Sequence, residues 1–103
     1  MKLTVRIGGG FAGMVAVVAV DSSVLPPDQA QDFAAEVDRA GLRTMEPPVP
    51  AGQRADAQLY EVSLHEGEQQ RDLHFTDESM PADVEKLVHW MRQCPGRTES
   101  LEQ

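Results

Sequence analysis

Residues 2–20, which read KLTVRIGGGFAGMVAVVAV, decide the fold. Apolar and polar residues alternate over 2–7, and this period predicts a β-strand with one buried face. The glycine-rich residues 8–13 break any regular element, because glycine tolerates positive φ and close backbone approach. The β-branched run 14–20 predicts a second strand, either covered on both faces or apolar on its outer face. Together the segments predict a hairpin with a glycine-rich connection.

The same region loosely imitates a secretory signal peptide, since two basic residues precede an apolar run. The strand alternation and the three consecutive glycines argue against that reading, so we expect residues 1–20 to belong to the mature structure. The apolar run is also too short to span a bilayer.

The rest of the chain predicts a helix, a second hairpin and a final helix. An apolar stripe at helical spacing follows Pro26-Pro27, and Gly41 is a natural end for that helix. Residues 42–56 are proline-rich and predict a loop, either a binding segment or a mobile connection. Residues 57–65 and 70–76 alternate as strands, and a second apolar stripe predicts a helix that Pro95-Gly96 stops.

The predicted order is therefore β-β-α-β-β-α, an α+β fold. Two hairpins can join into one four-stranded antiparallel sheet with both helices packed on its buried face. We expect a single domain over residues 1–96 and a flexible C-terminal tail over 97–103. A chain of 103 residues is too short for two domains with separate cores.

Composition excludes some classes of partner. With 17 acidic and 9 basic residues the net charge is −8, and the basic residues are scattered, which argues against nucleic acid and anionic membranes. The charge either keeps a small protein soluble or steers it to a basic partner. Cys94 is the single cysteine, so no internal disulfide forms, and this fits a reducing compartment or at least does not require an oxidising one.

Catalytic, metal and cofactor signatures are weak. His65 and His74 lie on the two strands of one predicted hairpin, near Asp72, but polar residues on a solvated sheet face explain them more simply. The Gly-x-Gly-x-x-Gly match at 8–13 precedes a strand and not a helix, so it lacks the helix N-terminus that holds phosphate. We therefore expect no enzyme activity and no cofactor. Phe11, an aromatic among glycines, is either a core plug or an exposed anchor for a partner.

The motifs as a set resemble one family. Gly9-Gly10-Phe11-Ala12-Gly13 follows a first strand, Leu25-Pro26-Pro27 opens a helix, and the final helix contains His89-Trp90. In this register, roughly over residues 2–92, the chain resembles the emfourin family of protealysin-associated inhibitors. Gly8 stands where that pattern leads us to expect a small hydroxyl residue.

The resemblance implies a cytoplasmic bacterial protein that inhibits thermolysin-type, protealysin-like zinc metallopeptidases by reversible binding in the active-site cleft. It implies partner contacts at Gly9, Gly10, Phe11, Ala12 and Gly13, and at Leu25 and Pro26. The alternative is a protein-interaction or regulatory module without inhibitory power.

Overall fold

The computed structural model describes residues 1–9, 15–45 and 58–102, and within them the chain forms five strands and two helices. In chain order these elements are β1 (Lys2–Gly9), β2 (Val15–Asp21), α1 (Pro27–Ala40), β3 (Gln58–Glu66), β4 (Gln69–Thr76), α2 (Ala82–Gln93) and β5 (Thr98–Glu102). A single 3₁₀ turn, Ser22–Val24, joins β2 to the segment before α1. The α+β class and the antiparallel sheet with two helices are as predicted.

The number of strands differs from the prediction. Among the described residues the sheet has five strands in the order β4-β3-β1-β2-β5, not four. The fifth strand is β5, in the segment after residue 96 that we expected to be a tail, and it pairs antiparallel with β2 from Thr98 opposite Ala19 to Glu102 opposite Val15. The two hairpins join through β1 and β3, with Lys2 opposite His65 and Gly9 opposite Gln58.

The core lies between one face of the sheet and the two helices. Leu3, Val5, Val18, Val20, Val62, Leu64, Leu73 and Phe75 supply the sheet side. Phe33 and Val37 of α1 and Leu87 and Met91 of α2 are fully buried against them. Phe33 also stacks on Trp90, with ring centroids 5.7 Å apart, so the two helices contact each other as well as the sheet.

Strand β2 was predicted to be either covered on both faces or apolar on its outer face. Val18 and Val20 face the helices, whereas Val17 and Ala19 point to the outer face and are still only 9% exposed. Their neighbours on that face belong to β1 and β5, and Thr98 donates its hydroxyl to the Ala19 carbonyl over 3.4 Å. β2 therefore carries buried apolar side chains on both faces of the sheet.

The end of α1 is fixed by one glycine and one leucine. Gly41 adopts φ +70°, the left-handed conformation of a helix C-cap, and its N–H bonds to the carbonyls of Val37 and Asp38. Leu42 follows and is fully buried, so the first residue of the predicted 42–56 loop belongs to the core. Residues 46–56 of that loop lie outside the described residues.

Candidate surface at the hairpin tip

The sheet has two unlike ends. The tip end is the one where β1 finishes at Gly9 and β2 starts at Val15; the base end is the one where Lys2 lies opposite Asp21. The eight residues of β1 separate the two ends by about 24 Å. The candidate contact residues divide between these ends, so the structure does not bring them all together.

The glycine motif belongs to the tip end. Gly9 ends β1 there, paired with Gln58, whereas Gly10, Phe11, Ala12 and Gly13 lie outside the described residues. The strands on either side of the motif each pair with a neighbour on both sides. β1 pairs with β2 and β3, and β2 pairs with β1 and β5, so neither strand lies at an edge. The motif is therefore attached to a rigid support.

Leu25 and Pro26 belong to the base end. They follow the 3₁₀ turn after Asp21, and Leu25 is buried in the core cluster. A Cβ added to Gly96 would lie 2.4 Å from a Leu25 methyl, which shows how closely that side chain packs under the approach to β5. Pro26 is exposed at the N-cap of α1. The burial of Leu25 favours a packing role, which the sequence context Leu-Pro-Pro did not reveal.

Exposed apolar side chains concentrate at the tip end. Three large hydrophobic side chains of the described residues are strongly exposed: Leu101 at 67%, Leu59 at 42% and Val24 at 69%. Leu59 of β3 lies opposite Gly8 on the outer face of the sheet, and Leu101 of β5 lies opposite Ala16 on the face that the helices cover. Two of the three therefore lie near the glycine motif, one on each face of the sheet. Val24 is at the base end.

Acidic residues border the same end. The turn after β4 is held to β3 by the Asp77 N–H, which bonds to the Gln58 carbonyl over 3.1 Å. Asp77 is exposed there, and the first turn of α2, which follows, carries exposed Asp83 and Glu85. The acids at the start of α2 also suit the positive end of the helix dipole. The tip end thus combines apolar side chains with a negative rim.

The base end is instead tied together by polar contacts. Arg43 forms a two-pronged ion pair with Glu66 over 2.6 and 3.1 Å and also pairs with Asp38 of α1. The hydrogen bond from Arg43 is the main cause that holds the pKa of Glu66 below its ordinary value, while hydrogen bonds to Glu66 and Asp38 raise the pKa of Arg43. The N-terminal ammonium of Met1 adds a hydrogen bond to the Ser22 hydroxyl over 3.1 Å. These contacts fasten helix, strand and terminus to one another.

A third surface, the outer sheet face, is polar and shallow. A depression there is lined by Lys2, Thr4, Arg6, Glu61, Ser63, His65, Gln70 and Asp72. The Ser63 hydroxyl, followed by the Gln70 amide, lowers the pKa of Asp72. His65 lies opposite Gln70 and His74 opposite Glu61, so the two histidines are about 13 Å apart along the strands. Within the described residues no cluster of three His, Cys, Asp or Glu side chains is arranged to hold a metal ion.

Two further groups bear on function. Cys94 caps the C-terminus of α2 and is 4% exposed, so its thiol is not available to a partner's metal ion. Neither helix of the described chain has the length and apolar character needed to cross a membrane.

Comparison with known proteins gives one match. The family model described as Emfourin matches residues 5–92 of the chain, from β1 through nearly all of α2. No curated protein and no solved structure matches the chain. The matched region includes the glycine motif and both hairpins but ends before β5.

Proposed function

The chain belongs to the Emfourin family, and from this membership we propose that it is a protein inhibitor of thermolysin-type, protealysin-like zinc metallopeptidases. The family match over residues 5–92 is the observation that carries the proposal, because it includes the glycine motif and both strands that support it. The target is an intact enzyme, and the chain acts as a binding protein and not as a catalyst.

The geometry of the tip end supports residues 9–13 as the principal contact segment. The two strands that flank this segment are both interior to the sheet, so the residues where it joins the sheet are fixed before a partner binds. Leu59 and the acidic rim widen the surface around it. Leu25, buried at the base end, supports the fold in this account, and exposed Pro26 is a secondary contact candidate only.

Inhibition is then reversible occlusion of the active-site cleft. A stable complex of this kind buries about 1,200–2,000 Å² in total. Direct capture of the zinc ion by the thiol is disfavoured, since Cys94 is buried in the core. The single buried cysteine also suits a cytoplasmic setting, which stays a prediction.

The competing proposal is a regulatory or interaction module without inhibitory power. The net charge of −8 favours it to the extent that the acidic surface alone selects a basic partner. Binding without inhibition would distinguish this module from an inhibitor.

The test is a titration of purified protein into a protealysin-like or thermolysin-type peptidase, following cleavage of a quenched peptide with zinc in excess. Loss of activity at a near-stoichiometric ratio is expected, and excess zinc rules out metal stripping. No inhibition of several such peptidases would remove the proposal in favour of the interaction module.

The variant Phe11→Ala then separates the two roles left open for this aromatic. An anchor for the partner predicts inhibition weakened by about 30-fold or more with an unchanged unfolding midpoint. A core plug predicts a lower unfolding midpoint with near-parental inhibition by the folded protein. An unchanged midpoint together with parental inhibition would contradict the anchor role.

A further inference from the structure

The last strand, β5, lies outside the family match, yet it adds to the surface beside the glycine motif. The match ends at residue 92, and β5 runs from Thr98 to Glu102 back towards the tip end. Leu101 is its one apolar side chain and is 67% exposed. Leu101 contributes little to the core at this exposure, so its place beside the proposed contact segment makes it a candidate for binding the partner.

Leu101 completes a row of apolar residues across four strands. Residues directly opposite in an antiparallel ladder share a face of the sheet, and the pairings place one such row next to the tip: Tyr60, Ile7, Ala16 and Leu101. With strands about 4.8 Å apart the row is about 14 Å long. It lies on the face that the helices cover.

The helices do not fully cover this row. In the next row towards the base end, Val62, Val5 and Val18 are 1%, 0% and 3% exposed, so the helical layer closes over them. In the row beside the tip, Phe75 of β4 is 3% exposed, Tyr60, Ile7 and Ala16 are half-buried, and Leu101 is strongly exposed. The helical layer therefore closes over the β4 end of this row and leaves a strip of apolar surface from Tyr60 to Leu101.

The strip is continuous with the surface proposed to bind the peptidase. Ile7 precedes the glycine segment on β1, and Ala16 follows it by three residues on β2. Asp77, in the turn after β4, and Asp83, in the first turn of α2, lie at this same end on the β4 side, across the sheet from β5. The matching partner surface is apolar, with basic side chains at its margin.

We propose that Leu101 is a contact residue for the metallopeptidase and that β5 extends the inhibitory surface beyond the part matched by the family model. This inference rests on the proposed function. The occupant of the apolar strip is the same peptidase molecule that holds the glycine motif. Its site for Leu101 is an apolar patch bordered by Lys or Arg.

The test compares Leu101→Ala with Val24→Ala. Val24 is the matched control, since it is exposed to nearly the same extent, 69% against 67%, but lies at the base end. Both variants should keep the parental unfolding midpoint. Leu101→Ala should raise the inhibition constant for the peptidase by about tenfold, and Val24→Ala should leave it within about twofold of the parent.

Two charged substitutions at Leu101 test the charge of the partner surface. Leu101→Lys should weaken inhibition more than Leu101→Glu, because a basic margin repels the lysine. Equal effects of Lys and Glu would contradict the basic margin, and parental inhibition by Leu101→Ala would overturn the contact role while leaving the proposed function intact. If the parent protein does not inhibit the peptidase, both the proposed function and the Leu101 contact are wrong.

The alternative occupant is a second copy of the chain, paired edge to edge along β5. Sedimentation of the parent and of Leu101→Ala distinguishes it. A monomer of 11.3 kDa for both proteins is the expected result. A parental dimer that Leu101→Ala dissociates, with inhibition unchanged, would overturn the assignment to the peptidase.

Discussion

The two ends of the sheet are built from the same strands but differ in the contacts of their side chains. At the base end, Arg43 forms ion pairs with Glu66 and Asp38, and the N-terminal ammonium of Met1 donates a hydrogen bond to the Ser22 hydroxyl. These polar contacts stabilise the fold. At the tip end, Leu59 and Leu101 are left exposed, and acidic residues line the margin. Under the proposed function, the contacts that stabilise the fold and those that bind the peptidase are separated by about the length of β1. Variants at the base end should therefore change stability without changing inhibition.

The largest effect is expected from Leu25→Ala. Removing a buried leucine from the core costs about 2–4 kcal/mol of the free energy of unfolding, a large share of the ~5–15 kcal/mol typical of a domain. The neighbouring change Val24→Ala, at an exposed residue, should stay within about 0.5 kcal/mol. Urea unfolding of the two variants measures both values.

Leu25→Ala also tests whether the base end contributes to inhibition. If Leu25→Ala unfolds at the parental urea concentration but inhibits the peptidase at least about tenfold more weakly, the base end contributes contacts and the separation of roles is wrong.

A smaller effect is expected from Arg43→Ala. This substitution removes the ion pairs that join the segment after Gly41 to α1 and β3. Because both pairs are partly exposed to water, the free energy of unfolding should fall by only about 1 kcal/mol. Arg39→Ala is the control, since the Arg39–Glu36 pair lies within α1 and joins no second element. Thermal unfolding at low and high salt should show a larger, more salt-sensitive loss for Arg43→Ala. Equal losses in the two variants would show that the link between elements adds nothing.

The smallest effect is a pH dependence at Glu66. Its pKa in the folded protein is lowered from the ordinary value of 4.5 by the Arg43 hydrogen bond, so its stabilising contribution is complete above about pH 4.5. The contribution is lost as the pH falls through the lowered folded pKa. The difference in unfolding midpoint between the parent and Glu66→Gln should therefore be present at pH 7 and shrink towards pH 3.

The control for this prediction is Glu68→Gln, a change at an exposed glutamate in the turn between β3 and β4. Its difference from the parent should be smaller than that of Glu66→Gln at pH 7. A Glu66→Gln difference that stays constant from pH 7 to pH 3 would contradict the ionic link.

Side-chain patterns were enough for the elements that bury a face. Alternation predicted β1, β3 and β4, and apolar stripes at helical spacing predicted α1 and α2, because each of these elements packs against the core. They were not enough for β5. Thr98–Glu102 contains one apolar residue, and its place in the sheet depends on backbone pairing with β2, which leaves no trace in side-chain periodicity.

The candidate site shows the same limit. The glycine motif was visible in the sequence, and the pairing of Gly9 places it at the tip end. The burial of Leu25 and the row ending at Leu101 depend on contacts between residues far apart in sequence, Leu25 with Gly96 and Ala16 with Leu101. A single sequence does not contain this register, so these residues required the folded structure.

The most direct test of the central claim is to map where the peptidase binds. Amide NMR spectra of the isotope-labelled chain would be recorded while a catalytically inactive thermolysin-type peptidase with its zinc bound is added. We expect the signals of tip-end residues, such as Gly9, Leu59 and Leu101, to shift or broaden, while those of Ser22 and Glu66 at the base end change least. Changes concentrated at the base end or on the outer sheet face, with the tip end unaffected, would contradict the account.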